Sequence, residues 1–162
     1  MGKALSPEQL EAWRLFLEAH ASVTRILERE LMNERQLPLT WYDVLVRLEE
    51  AGGSLRMHEL ADRLLLSRSA TTRFVERIEK RDLIDRRACP EDRRGTHVVL
   101  TESGREVLRN AAPVHLSGVE EHFVGRLTNA DTQALTRALK KLVYPSLPIA
   151  GGSRCKPGGP GS

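Results

Sequence analysis

Arginines crowd one short stretch of this chain beside residues that reverse a backbone. Arg86, Arg87, Arg93 and Arg94 fall within nine residues, and Pro90 and Gly95 bracket the turn between them. β-formers return at Val98, Val99 and Leu100. This pattern predicts a hairpin with guanidinium groups toward its tip. Guanidinium is planar and permanently charged, and its fork of donors fits phosphate and suits the negative potential of a narrow minor groove. The chemistry that these residues serve is recognition of a polyanion.

A second cluster precedes the first. Ser67 can cap a helix whose inward face is Ala70, Phe74, Val75 and Ile78. The outward face then carries Arg68, Ser69, Thr71, Thr72, Arg73 and Arg77. Small hydroxyls allow close approach to base edges, a helix N-terminus favours phosphate, and Arg grips guanine with two bonds. An ordinary solvated helix face shows the same residue types, so the helix takes its meaning from the hairpin that follows. Charge supports the pairing. The 162 residues carry 25 Lys and Arg against 22 Asp and Glu, a net +3. Residues 56–94 hold eleven basic and eight acidic residues, which is the whole formal excess. Some of those acids pair locally along a helix, as the spacing of Glu76 and Lys80 allows.

Other chemistries find no set of residues. His20, His58, His97, His115 and His122 show no metal-ligand spacing with a cysteine. His115 and His122, seven apart, read as surface or interface histidines on one helix face. No phosphate-cradling Gly loop or nucleophile elbow is present. The expectation is therefore no enzyme, no metal and no cofactor. Cys89 and Cys155 make no disulfide framework. Cys89 lies among cations that favour thiolate, so a redox switch there is weighed against an unreactive thiol. No apolar run approaches the roughly 18 residues of a membrane span, and no secretory signal core follows Met1. A cytoplasmic protein is expected.

The remaining elements must position the two clusters. Ser6, Pro7 and Gln9 make a helix start with a capping box. Leu10, Trp13, Leu17, His20, Thr24, Leu27 and Leu31 then alternate three and four apart, widened by Phe16, Val23 and Ile26. That heptad-like seam points to a subunit interface. Pro38 ends this region. Thr40 is the expected cap of a second helix with Trp41, Val44, Leu45 and Leu48, which stops at Gly52 and Gly53. Residues 54–56 read as a strand pairing with the hairpin, and 59–65 as a short helix with Leu60, Ala61, Leu64 and Leu65 inward. Thr101 can cap a long helix through Val107, Leu108, Ala111, Leu116, Val119, Phe123 and Leu127, kinked at Pro113. Thr128 and Asp131 start a last helix with Leu135, Ala138, Leu139, Leu142 and Val143. Pro145 and Pro148 stop it. The fold class is mainly α with a small β-hairpin wing: a winged helix-turn-helix with N- and C-terminal dimerisation helices. One domain spans residues 1–147, with a DNA-binding lobe at about 35–103, dimerisation helices at 6–34 and 104–147, and a disordered Gly/Pro-rich tail at 148–162.

Residues 60–80, together with Asp92, Arg93, Arg94 and Gly95 and the later run from Leu100 to Gly104, resemble the MarR (multiple antibiotic resistance regulator) family of winged-helix repressors. The resemblance covers about residues 6–147. It implies a homodimer on a pseudo-palindromic operator in double-stranded DNA, with a recognition helix in the major groove and a wing in the minor groove. By its wing pattern Arg94 is the minor-groove probe, Asp92 orients it, and Arg93 is a phosphate contact or second probe. Leu10, Leu17, Leu27, Leu116, Phe123, Leu135, Leu139 and Leu142 would form the dimer. A crevice lined by Trp13, Phe16, His20, Trp41, Tyr42 and Asp43 would take a small aromatic acid effector. The expected function is a sequence-specific transcriptional regulator, a homodimeric repressor released by a small aromatic or phenolic ligand. The alternatives are a winged-helix interaction module that does not read DNA, and a redox-responsive regulator acting through Cys89. One departure is visible: the family's Gly after the recognition helix is Asp82 here. Asp tolerates a left-handed backbone better than most residues.

Overall fold

A computed structural model describes residues 4–64, 67–88 and 95–142. In chain order it holds α1 (Pro7–Arg35), α2 (Leu39–Glu50), β1 (Ser54–Arg56), α3 (Met57–Leu64) and α4 (Arg68–Glu79). Then come β2 (Ile84–Ala88), β3 (Thr96–Leu100), α5 (Glu102–His122), a 3-10 turn (Val124–Arg126) and α6 (Asn129–Leu142). The fold is mostly helical with one small sheet, the winged-helix class that the sequence predicts.

The described residues form two compact units, one from residues 4–39 and 110–137, the other from 40–109 and 138–142. In the first, α1 opens on the expected capping box. Gln9 N–H donates to Ser6 Oγ at 3.2 Å, and Ser6 N–H to Gln9 Oε1 at 2.9 Å. The helix ends at Arg35 rather than at Pro38, because Gln36 turns left-handed at φ 54°. Leu27 and Leu31 are buried. A Cβ at Gly118 of α5 would overlap the Glu30 side chain and come within 2.7 Å of Leu27 Cδ2, so the glycine lets α1 and α5 approach closely. His122 Nε2 lies 2.7 Å from Glu30 Oε1, which gives this histidine a partner on the neighbouring helix. Thr40 does not cap α2. The helix begins at Leu39, whose N–H donates to the Glu28 carboxylate at 2.7 Å, so a side chain from α1 does the capping.

In the second unit the sheet order is β1-β3-β2, both pairs antiparallel. Residues 54–56 thus pair with the hairpin as expected, Leu55 lying opposite Val98. Leu55, Ile84, Val98 and Leu100 form the buried side of the sheet. α3 packs on α4 and β1, and α4 on β2. α3 starts at Met57, two residues before the predicted start, with the Glu59 carboxylate accepting from Arg56 N–H at 2.9 Å. Asp82 takes the left-handed conformation at φ 57°. Its carbonyl accepts from Thr101 Oγ1 at 2.6 Å, and Thr101 Oγ1 also caps α5 by accepting from Gly104 N–H at 3.0 Å.

α5 runs unbroken through Pro113 but stops at His122, so Phe123 and Leu127 lie beyond it. α6 opens on the predicted box: Asp131 N–H donates to Thr128 Oγ1 at 3.2 Å, and Thr128 N–H to Asp131 Oδ2 at 3.0 Å. The Thr128 hydroxyl, donating to Asp131 Oδ2 at 2.6 Å, and then the Thr128 backbone N–H hold the Asp131 carboxyl below its ordinary range. Val143, Pro145, Pro148 and the tail lie outside the described residues.

Candidate nucleic-acid interface

The recognition helix candidate is α4. Ser67 caps it as predicted, its Oγ accepting from Ala70 N–H at 3.3 Å and lying 3.3 Å from Ser69 Oγ. Ser69, Arg73 and Arg77 are exposed and Thr72 is half-buried. Residues four apart share a helix face, so Ser69, Arg73 and Arg77 form one stripe from the N-terminus, with Thr72 at its side. Arg68 opens the helix.

Thr71 does not belong to that stripe. It is fully buried, and its Oγ1 donates to the Ser67 carbonyl at 3.0 Å. The reason is periodicity: Thr71 shares its face with Val75 and Ile78, both fully buried. The hydroxyl meets its hydrogen-bond need inside the helix and points to the core, not to a groove.

The hairpin splits its cations by strand register. Arg86 stands opposite Val98 and Arg87 opposite His97, so the two project to opposite faces of the sheet. Arg86 reaches back to α4. Its Nη2 lies 2.7 Å from Glu79 Oε2 and its Nη1 lies 3.5 Å from Glu76 Oε1. The hydrogen bond to Glu79, with the nearby Glu76 charge, raises the affinity of this guanidinium for its proton further. Glu76 is thus engaged by Arg86, where the sequence alone suggested Lys80. Arg87 is exposed, and its Nε donates to Asp85 Oδ2 at 3.0 Å. His97 is buried, with Nδ1 3.3 Å from Ser54 Oγ. Asp92, Arg93, Arg94 and Cys89 lie outside the described residues. Sequence reading missed Glu76 and Glu79 as partners of Arg86. Their spacing of three along a helix was the available signal, but only strand register shows which arginine faces them.

The candidate effector residues fall in both units. Trp13, Phe16 and His20 are exposed on α1, and the Trp13 and Phe16 rings stack with centroids 6.1 Å apart. On α2, Tyr42 is buried, Trp41 half-buried and Asp43 exposed. Burial, and then the Asp43 charge, pushes the Tyr42 hydroxyl above its ordinary pKa.

Among the candidate interface residues, Leu10, Leu17, Leu116, Phe123 and Leu142 are exposed, while Leu135 and Leu139 are half-buried. Leu27 is not available to a partner, because it is buried beside Gly118 in the chain's own core. Among the described residues, no group of three His, Cys, Asp or Glu could hold a metal ion. No helix among them is long and apolar enough to cross a membrane.

Comparison with known proteins agrees with this geometry. The MarR family model matches residues 35–95. The crystal structure of AbsC, a MarR family transcriptional regulator from Streptomyces coelicolor, superposes with a TM-score of 0.81 at 36% identity, covering 87% of this chain and 95% of that one. Sco3205, a MarR family transcriptional regulator from the same organism solved in complex with DNA, gives 0.84 at 33%, covering 91% and 93%. The transcriptional repressor MprA of Escherichia coli K12 is 37% identical over 120 residues, which are 74% of this chain and 65% of MprA. These relatives are regulators, not enzymes, and by sequence and fold together the chain belongs to the MarR family of transcriptional regulators.

Proposed function

We propose that the chain is a homodimeric repressor that reads a pseudo-palindromic operator. The observation that carries this is the exposed stripe of Ser69, Arg73 and Arg77, with Thr72 beside it, on a helix capped at Ser67 and braced by the wing strand. Similarity to Sco3205, solved with DNA, supports duplex DNA as the partner, and similarity to the repressor MprA supports the sign of regulation. The exposed apolar side chains of α1 support a dimer. In this reading residues 35–103 form the DNA-binding lobe, 6–34 and 104–147 the dimerisation helices, and the regulator works in the cytoplasm.

Selection of bound sequences from random duplex DNA tests the reading. Enriched sites should be two-fold symmetric, with half-sites about one helical turn, roughly 10 base pairs, apart. Replacing Arg73 by Ala should flatten the preference for the operator if Arg73 reads a base, or weaken all duplexes equally and lower the salt slope by about one if it holds a phosphate. Arg94→Ala should cost about 1–3 kcal/mol of operator affinity with the fold intact. No enrichment of any sequence would point instead to an interaction module.

The stacked, exposed Trp13 and Phe16 supply an aromatic surface for a small planar acid effector, with Trp41, Tyr42, Asp43 and His20 the remaining candidates. A ligand that lowers DNA affinity must itself be weakened by operator to the same factor. Release of operator by phenolic or purine-type acids, lost in Trp13→Ala, is the expected outcome.

A further inference from the structure

We propose that Arg86 is a positioning residue that locks the wing strand to the recognition helix, rather than a DNA contact. The inference rests on the DNA-binding reading above and assigns Arg86 a different role from the other arginines of the hairpin.

Three observations carry it. First, the guanidinium fork is divided between two carboxylates, with Nη2 on Glu79 at 2.7 Å and Nη1 toward Glu76 at 3.5 Å. Those acids stand three apart on α4, so Arg86 grips successive turns of the helix. Second, all three side chains are partly withdrawn from water, at 34% exposure for Arg86, 29% for Glu79 and 45% for Glu76. An isolated surface ion pair contributes little, but a fork shared by two carboxylates is fixed in direction as well as charge. Third, burial falls off along β2: Ile84 is buried, Asp85 half-buried, and the residues from Arg86 to Ala88 are exposed. The strand leaves the core between these points, and Arg86 holds it there to the helix that would enter the major groove.

Electrostatics favours the same assignment. A helix approaching a polyanion gains by shedding carboxylates, yet α4 keeps Glu76 and Glu79 beside its arginine stripe. Their charge is offset where Arg86 stays on them. A guanidinium engaged with two carboxylates has little left to offer a phosphate. Its function is then to fix the distance and angle between two reading elements, which binding to an operator needs and binding to random DNA does not.

The test compares the full-length Arg86→Gln, Arg86→Lys and double Glu76→Gln, Glu79→Gln variants with wild type. Operator and random-duplex affinities are read by fluorescence anisotropy across a salt series, at a temperature where melting curves show every variant folded. Removing the two carboxylates should weaken operator binding about threefold to tenfold, although it removes negative charge facing DNA. Arg86→Gln should do the same with the salt slope unchanged, and random DNA should be affected much less. Combining all three changes should add little. Lys should not restore operator affinity, because a single ammonium cannot span both acids. Tighter binding by the double Gln variant would overturn the proposal, since it would show that the carboxylates merely repel DNA. So would rescue by Lys, a salt slope lower by about one in Arg86→Gln, or no effect of that variant. If Arg86→Gln fails to fold, the sign of the effect in the double Gln variant still decides. Failure of the wild type to prefer operator would instead refute the DNA-binding reading.

Discussion

At the scale of single residues, side-chain chemistry alone assigns a hydroxyl or a guanidinium to DNA, and geometry then sorts those assignments. Thr71 shows this well. The Ser67 carbonyl accepts both the Thr71 backbone N–H at 2.9 Å and the Thr71 hydroxyl at 3.0 Å. Removing the hydroxyl therefore leaves the carbonyl satisfied and removes a polar group from a fully buried site. Thr71→Val should change stability by less than about 1 kcal/mol and leave operator affinity within about twofold, whereas Thr72→Ala should affect binding. Paired melting curves and binding isotherms check this, and a loss of binding in Thr71→Val at unchanged stability would return Thr71 to the interface. Thr71 was misread from sequence because Ser, Thr and Arg fill α4 so densely that polarity does not mark its faces. Of the four residues read as inward, Ala70 and Phe74 are half-buried, and the fully buried Val75 and Ile78 set the direction that Thr71 shares. The partners of Arg86 were missed for another reason: whether a strand residue faces the core helix or solvent depends on register, and a shift of one residue exchanges the two. Asp82 was legible, because the left-handed turn after α4 admits few residues other than Gly, Asn and Asp.

At the scale of elements, the caps were the most legible features, since they are local chemistry at fixed spacing. Ser6 with Gln9, Ser67 with Ala70, Thr101 with Gly104 and Thr128 with Asp131 all form as the sequence predicts. α2 was the exception because its cap comes from Glu28, eleven residues away on another helix. The box on α6 has a pH signature. Thr128 stabilises the ionised Asp131, so its pKa in the folded chain is lowered. The unfolded chain then takes up the proton first as pH falls. The contribution to stability is complete above the ordinary carboxylate range and is lost as pH drops through the lower folded value. Asp131→Ala should therefore lower α6 protection against hydrogen exchange at neutral pH, and the gap from wild type should close in acid. A gap independent of pH would place the effect elsewhere. Gly104 sets a stricter limit on how α5 meets the sheet. A Cβ there would overlap the Leu83 carbonyl oxygen and approach Leu100 Cδ1 to 2.7 Å. Gly104→Ala should destabilise by roughly 1–3 kcal/mol, seen as a lower denaturation midpoint with an unchanged slope.

At the scale of the whole molecule, the N-terminal part of α1 is the feature that one chain does not explain. Residues 7–21 are exposed all round, although they include Leu10, Trp13, Leu15, Phe16 and Leu17. Isolated helices of this length are marginal in water, and their stability in proteins comes from packing an apolar face. In the proposed homodimer a second copy would cover this face, which also suits a two-fold operator. Each subunit would then read one half-site, and the dimer would gain from tethering, because the second contact forms at high effective concentration once the first is made. Leu17→Glu, alone or with Leu10→Glu, places carboxylates in the seam without touching the core, since both side chains are more than two-fifths exposed in the single chain. The variant should sediment as a monomer and lose about 10²–10⁴-fold in operator affinity. Its affinity for a single half-site should stay near that of one wild-type lobe, because the stripe on α4 is untouched. Binding of the full operator by a monomeric variant at wild-type affinity would show that the α1 seam serves some other partner, and that DNA reading in this protein does not depend on pairing.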